Sequence, residues 1–191
     1  QMGFTWGLGL VANDGETPPP FGDYRYGDLV RRVLFAARPF GPTTAFNVAA
    51  AFDWVAWDLT ADFDRPCLRQ GIGGGTGVGG CGDLAFQGVL AAFYQENQNI
   101  LGGYVAYRTQ HNYLQDYLDV FVGDLFGRWF FDEPSGGRIF VAAEAAIVVG
   151  SSSLTRTATR ASTEVQQFLA AVQVGRRAHH VDVVLEGGYA S

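Results

Sequence analysis

The chain contains no lysine, because all 13 of its basic residues are arginine. A Walker loop needs a lysine that reaches the β- and γ-phosphates, so this class of nucleotide site is excluded. The 19 acidic residues leave a formal net charge of −6, which argues against nucleic acid as a partner because such an interface needs a basic face. No run of about 18 apolar residues occurs, so the sequence offers no membrane-spanning helix.

The chain is also poor in metal ligands, with two cysteines and three histidines. Two thiols cannot complete a tetrahedral site, and His111, His179 and His180 stand at none of the motif spacings that would complete it. A G-x-G-x-x-G match within residues 67–81 lacks the preceding buried strand and the following helix of a dinucleotide fold. We therefore expect no metal and no cofactor.

The two cysteines close the glycine-rich stretch CLRQGIGGGTGVGGC at residues 67–81. We predict a disulfide between Cys67 and Cys81 that holds an exposed loop and performs no chemistry. Such a bond stabilises by about 3 kcal/mol in the chain-entropy treatment, and it requires an oxidising compartment. The alternative is an ordinary flexible loop with free thiols.

Two-residue alternation is the strongest pattern in the sequence. In GRIFVAAEAAIVVG, residues 137–150, one face is wholly apolar and the other carries Glu144 at its middle. Most such runs have ten or more residues, whereas strands of soluble domains average about five or six. A tilted strand that crosses a bilayer needs about 9–11 residues, so these lengths favour a membrane barrel. We predict nine strands, at residues 2–13, 26–39, 44–60, 84–96, 99–110, 117–131, 138–150, 163–175 and 179–190.

The predicted connections are of two kinds that mostly alternate along the chain. GPTT, ENQN and GRRA are short, whereas residues 13–24, 61–83 and 150–162 form long connections. Outer-membrane barrels pair short periplasmic turns with longer extracellular loops in this way. On this scheme the cysteine loop is extracellular.

Aromatic residues fall near the predicted strand ends, as in the aromatic girdles of membrane barrels. The alternative is that they form the core of a soluble sandwich. We assign Phe40, Tyr94, Trp129, Phe130 and Phe131 to the periplasmic side, and Tyr24, Tyr26, Trp57, Tyr107 and Tyr117 to the outer side.

These features together resemble the small outer-membrane β-barrels of Gram-negative bacteria. The resemblance implies an all-β fold in which residues 1–191 form a single antiparallel, transmembrane up-and-down β-barrel of about 8–10 strands. It also implies an outer-membrane location and a signal peptide that has already been removed. The chain departs from the pattern in its nine predicted strands, because bacterial single-chain barrels have an even number.

If the apolar faces contact lipid, the polar residues of the strands point into the barrel. Isolated charges are costly there, so we expect them to pair. We expect Glu144 to pair with Arg128, or else with Arg108. The predicted inward-facing residues are Arg32, Asp53, Gln87, Arg108, Asp124, Arg128, Glu144, Gln167, Asp182 and Glu186.

Three classes of function fit this reading. The first is a non-enzymatic outer-membrane barrel that serves as a structural, anchoring or assembly component or as a narrow passage. It contacts outer-membrane lipid, and other envelope proteins through its loops or turns. The second is a secreted soluble barrel that binds a small apolar ligand. The third is a membrane-embedded lipid-modifying enzyme, for which His111 and the serines at 151–153 supply candidate groups. We expect the first class, with no catalytic residues.

Overall fold

A computed structural model describes residues 29–57, 83–112, 116–134, 136–154, 161–178 and 181–191. These residues form eight antiparallel strands in one sheet, and the order of the strands in the sheet follows the chain. The expected all-β, up-and-down class is confirmed. The strands are β1 (Leu29–Ala37), β2 (Phe46–Trp57), β3 (Leu84–Glu96), β4 (Asn99–His111), β5 (Tyr117–Asp132), β6 (Arg138–Ser152), β7 (Thr163–Ala178) and β8 (Val181–Ala190).

Eight of the nine predicted strands correspond to β1–β8. The remaining predicted strand, the first in sequence at residues 2–13, lies outside the described residues. Six of the eight strands contain 12 to 16 residues, well above the average of about five or six in soluble domains. Among the described residues, no helix is long and apolar enough to cross a membrane.

The connections at one end of the sheet are tight. Strands β3 and β4 are joined by the two residues Asn97 and Gln98, and Asn97 has a positive φ of 55°, which asparagine tolerates better than most residues. In the β5–β6 turn, Gly136 has a φ of 81° and donates its backbone N–H to the carbonyl of Glu133 over 3.0 Å.

At the opposite end, the β2–β3 and β6–β7 connections are long, as the sequence predicts, and span residues 58–83 and 153–162. The predicted GRRA turn is wrong in detail, because residues 175–178 continue β7. Their backbones pair with β8, where Arg176 stands opposite Val183. Only residues 179–180 therefore separate β7 from β8.

The two faces of the sheet differ in the burial of their side chains. We call the face that carries Asp53, Gln110 and Glu144 the inner face, because these polar side chains are buried. The outer face carries large apolar side chains that are exposed, such as Leu90 and Leu125. The inner face also holds an apolar cluster formed by Ala51, Val89, Ala91, Tyr104, Ala106 and Phe126.

All the described strands belong to one sheet. Within the described part of the chain, β1 pairs with β2 alone and β8 with β7 alone. The eight strands therefore form an open sheet and are not closed into a barrel.

Candidate functional site

The polar side chains of the inner face make the candidate site, and the first group spans β1–β3. Arg32 and Asp53 stand opposite each other in the β1–β2 register. Arg32 donates from Nε to Oδ1 over 2.6 Å and from Nη2 to Oδ2 over 2.7 Å. Gln87, opposite Asp53 on β3, lies with its Nε2 3.5 Å from Oδ2. The fork geometry satisfies a carboxylate that is 0% exposed, which is the arrangement a buried ion pair needs.

The row of polar groups continues on β4. Arg108 stands opposite Gln87 in the β3–β4 register and donates from Nη2 to Oε1 of Gln110 over 3.0 Å. The Gln110 side chain is fully buried. Gln110 is not among the predicted inward residues. Its position two residues after Arg108 places it on the same, inner face of the sheet.

A second group lies in the middle of β4–β6 and consists of Tyr104, Asp124 and Glu144. Tyr104 stands opposite Asp124, and Glu144 stands one step diagonally away, opposite Phe126. All three side chains are buried, and the Asp124 and Glu144 carboxyls are close enough to interact electrostatically. Among the described residues, Asp124 has no hydrogen-bond partner other than the neighbouring carboxyl of Glu144. Two charged carboxylates repel each other in such a place, which disfavours the doubly charged form of the pair.

The structure places Arg128, the preferred predicted partner of Glu144, elsewhere. Arg128 stands opposite Ala142 near the end of β5, where it is exposed, and its guanidinium lies 5.6 Å from the centre of the Phe130 ring. A long arginine side chain reaches out of an apolar region toward water in this way. The group beside Glu144 is thus the carboxyl of Asp124.

The remaining predicted inward residues, Gln167, Asp182 and Glu186, lie on β7 and β8. Glu186 accepts a hydrogen bond at Oε2 from Nε2 of Gln173 over 3.1 Å. Gln167 is exposed. Strand β8 ends at Ala190, which stands opposite Leu169, so β8 does not reach as far along β7 as Gln167. Asp182 stands opposite Arg177 in the backbone register.

The tight end of the sheet carries exposed charges next to aromatic rings. Arg138 donates to Asp132 over 2.6 Å and to Gln98 over 2.8 Å, and its guanidinium lies 5.6 Å from the centre of the Phe130 ring. Arg176 forms a 2.8 Å ion pair with Glu133. Of the girdle residues predicted for this end, the structure exposes Phe40, Tyr94, Trp129 and Phe131.

Two of the serines considered for lipid-modifying chemistry form hydrogen bonds to the backbone at the strand ends. The Ser153 hydroxyl accepts the backbone N–H of Tyr117 over 2.9 Å, and the Ser152 hydroxyl accepts that of Leu154 over 3.2 Å. These bonds hold the start of β5 and the end of β6. His111 lies exposed at the end of β4.

Two further predictions concern ligands and the disulfide. Over the residues that the structure describes, no group of three or more His, Cys, Asp and Glu side chains is placed to hold a metal ion. Cys67 and Cys81, for which a disulfide is predicted, lie outside the described residues.

Comparison with protein-family models, with curated proteins and with solved structures gave no match. The interpretation of the polar inner face therefore rests on its geometry and on the exposed apolar face behind it.

Proposed function

We propose that the chain is a non-enzymatic integral β-barrel of the bacterial outer membrane, which serves as a structural or anchoring component. The observation that carries this proposal is the contrast between the two faces of the sheet. Charged side chains such as Asp53 and Glu144 are buried among apolar ones on the inner face, and most of the 24 large hydrophobic side chains exposed among the described residues lie on the outer face. Water would penalise such a continuous surface, whereas lipid chains accept it.

The strand lengths and connections support the same proposal. Six strands contain 12 to 16 residues, which is more than the roughly 9–11 residues that a tilted strand needs to cross the hydrocarbon core of a bilayer. The exposed ion pairs of Arg138 and Arg176 lie at the tight end of the sheet, at the level expected for lipid headgroups. We propose that other envelope proteins contact the chain through the connections between its strands.

An apolar groove in the outer face fits this environment. It has a volume of about 730 Å³ and is lined by side chains that include Leu90, Val105, Leu125, Ile147 and Phe168. Gly103 and Gly123 line the bottom of the groove, and their lack of side chains makes it deeper. In a bilayer, lipid acyl chains fill such a groove, whereas a soluble protein would expose it to water.

A single substitution tests the proposal. Leu125 is 71% exposed at the middle of β5, so we expect Leu125→Arg to lower the free energy of unfolding in lipid vesicles by about 2–4 kcal/mol. The control is Thr43→Arg in the exposed β1–β2 connection, which we expect to change it by less than about 0.5 kcal/mol. The measurement is urea unfolding followed by tryptophan fluorescence.

The parent protein supplies a second test. We expect a β-type circular dichroism spectrum in detergent and a shifted mobility on unheated detergent gels. Quantitative recovery as a monomer in detergent-free buffer, with Leu125→Arg as harmless as Thr43→Arg, would reject the membrane proposal and favour a soluble barrel.

A further inference from the structure

Two carboxyl groups lie next to each other at the centre of the inner face. In the β5–β6 register Asp124 stands opposite Ala146 and Glu144 stands opposite Phe126, so the two acidic residues are diagonal neighbours on the same face of the sheet. Diagonal neighbours on adjacent strands lie within reach of long side chains. Asp124 is 3% exposed and Glu144 is 2% exposed, so bulk water does not screen their charges.

The hydrogen bonding of Asp124 sets a condition on the charge of this pair. Among the residues that the structure describes, the carboxyl of Glu144 is the one hydrogen-bond partner of Asp124. The oxygens of an ionised carboxylate only accept hydrogen bonds, whereas a protonated carboxyl group also donates one. A hydrogen bond between the two carboxyls therefore requires a proton on one of them. With both groups charged, repulsion between two buried like charges would replace the bond.

The neighbouring strands place a phenol and a methyl group beside the pair. On β4, Tyr104 stands opposite Asp124 and interacts electrostatically with both carboxyls. On β7, Ala171 stands opposite Glu144. Neither residue carries a positive charge that would compensate a second negative charge at this position.

The nearest basic side chains in the strand register, among the described residues, extend away from the pair. Arg108 and Arg128 lie four residues along β4 and β5 from Tyr104 and Asp124, about 13 Å in an extended strand. Arg108 reaches further away to donate to Gln110, and Arg128 lies over the Phe130 ring. The charged groups of the inner face on the outermost strands have partners of their own, Arg32 with Asp53 and Glu186 with Gln173.

We propose that Asp124 and Glu144 share one proton in the folded protein and thereby make the stability of the sheet depend on pH. In the unfolded chain both carboxyls are ionised at neutral pH, so folding takes up a proton. This contribution to stability is complete below about pH 4, where the unfolded carboxyls are protonated as well, and it falls as the pH rises until the folded pair releases its proton. The inference goes beyond the proposed membrane location, because it follows from the inner face alone.

Infrared spectroscopy of the full chain in detergent tests for the proton directly. A protonated carboxyl group has a carbonyl stretch that is separate from the bands of a carboxylate and shifts in heavy water. We expect this band in the parent at neutral pH and its loss in both Asp124→Asn and Glu144→Gln, because each change leaves one carboxylate beside an amide that can donate to it. The matched control is Asp132→Asn, which removes an exposed carboxylate paired with Arg138 and should leave the band unchanged.

Urea unfolding between about pH 5 and pH 8 measures the linkage to folding. The reference is the double variant Asp124→Asn, Glu144→Gln, in which the pair cannot bind a proton. Relative to this variant, the folding equilibrium constant of the parent should fall by up to about tenfold for each pH unit, the change that corresponds to uptake of one proton. Asp132→Asn should keep the pH dependence of the parent.

Three results would each overturn the shared proton. They are a parent that lacks the infrared band at neutral pH, a band that persists in both single variants, and the same pH dependence of unfolding in the parent and the double variant. The circular dichroism spectrum of each variant is scored on the same samples. If an amide variant does not fold, the parent still decides the matter, because the proposal requires its band at neutral pH.

Discussion

At the scale of single residues, the inner face contains two aspartates in opposite circumstances. Asp53 is fully buried, and both of its oxygens meet the guanidinium of Arg32. Asp124 is 3% exposed and, among the described residues, has no hydrogen-bond partner other than the neighbouring carboxyl of Glu144. The same substitution at the two positions should therefore change stability in opposite directions.

Replacing Asp53 with asparagine removes the charge that neutralises Arg32. We expect Asp53→Asn to lower the free energy of unfolding by about 3–5 kcal/mol, because the guanidinium stays buried without a counter-charge. The measurement is urea unfolding in vesicles. As a control, Asp132→Asn breaks the exposed pair with Arg138 and should cost less than about 1 kcal/mol. Equal losses in the two variants would contradict the assignment of Arg32 to the buried face.

Replacing Asp124 with asparagine removes one of two neighbouring buried carboxyls. We expect Asp124→Asn to raise the free energy of unfolding by about 1 kcal/mol, the equivalent of roughly one pKa unit of interaction between the two groups. The substitution keeps the size of the side chain and removes its repulsion with Glu144. A loss as large as that of Asp53→Asn would mean that Asp124 holds a counter-ion in the folded protein.

At the scale of elements, the close contact between neighbouring strands depends on glycines at particular positions. In the β5–β6 register Gly150 stands opposite Val120. A Cβ atom at Gly150 would overlap the backbone oxygen of Asp119 and lie 2.8 Å from the Cα of Val120. Backbone atoms cannot rotate away as a side chain can, so the two strands would have to separate.

Alanine substitutions at two glycines test this contact. We expect Gly150→Ala to lower the free energy of unfolding by about 1–3 kcal/mol through overpacking. The control is Gly88→Ala in β3, where a Cβ would meet nothing within 4 Å. That variant should be unchanged or more stable by up to about 1 kcal/mol, because alanine reduces the entropy of the unfolded chain. Equal losses at both sites would point to a general need for glycine in the strands.

The alternation of the sequence predicts the elements better than it predicts the site. Strand β3 has the predicted bounds, residues 84–96, and the parity of each strand places Asp53 and Glu144 on the buried face. The position of Asp124 beside Glu144 cannot be predicted from the sequence, because it depends on the stagger between β5 and β6, which sets Phe126 opposite Glu144. Alternation within one strand carries no information on stagger. The exposed position of Arg128 depends on where the sheet ends, which the pattern also leaves open.

At the scale of the whole molecule, the proposed outer-membrane location places the chain in an oxidising environment, in which disulfides form and persist. We expect Cys67 and Cys81 to be linked, so mass spectrometry without reduction should show their two peptides joined. Since the bond is expected to hold a loop alone, the double variant Cys67→Ser, Cys81→Ser should keep the folded gel mobility of the parent. Free thiols that both react with an alkylating agent would contradict the disulfide and remove one argument for the location.

The strictly consecutive pairing of β1–β8 also bears on how such a sheet can change its size in evolution. Every described strand pairs only with the strands next to it in sequence, so a hairpin such as β5–β6 is a module with two equivalent borders, like the repeats of a solenoid. Duplication or loss of one hairpin would alter the width of the sheet while leaving the orientation of every other strand unchanged. Because all the described pairings are between neighbours in sequence, the sheet can fold by adding one hairpin after another. Each new hairpin pairs with the edge of the preceding one, and no contact between distant parts of the chain has to form first.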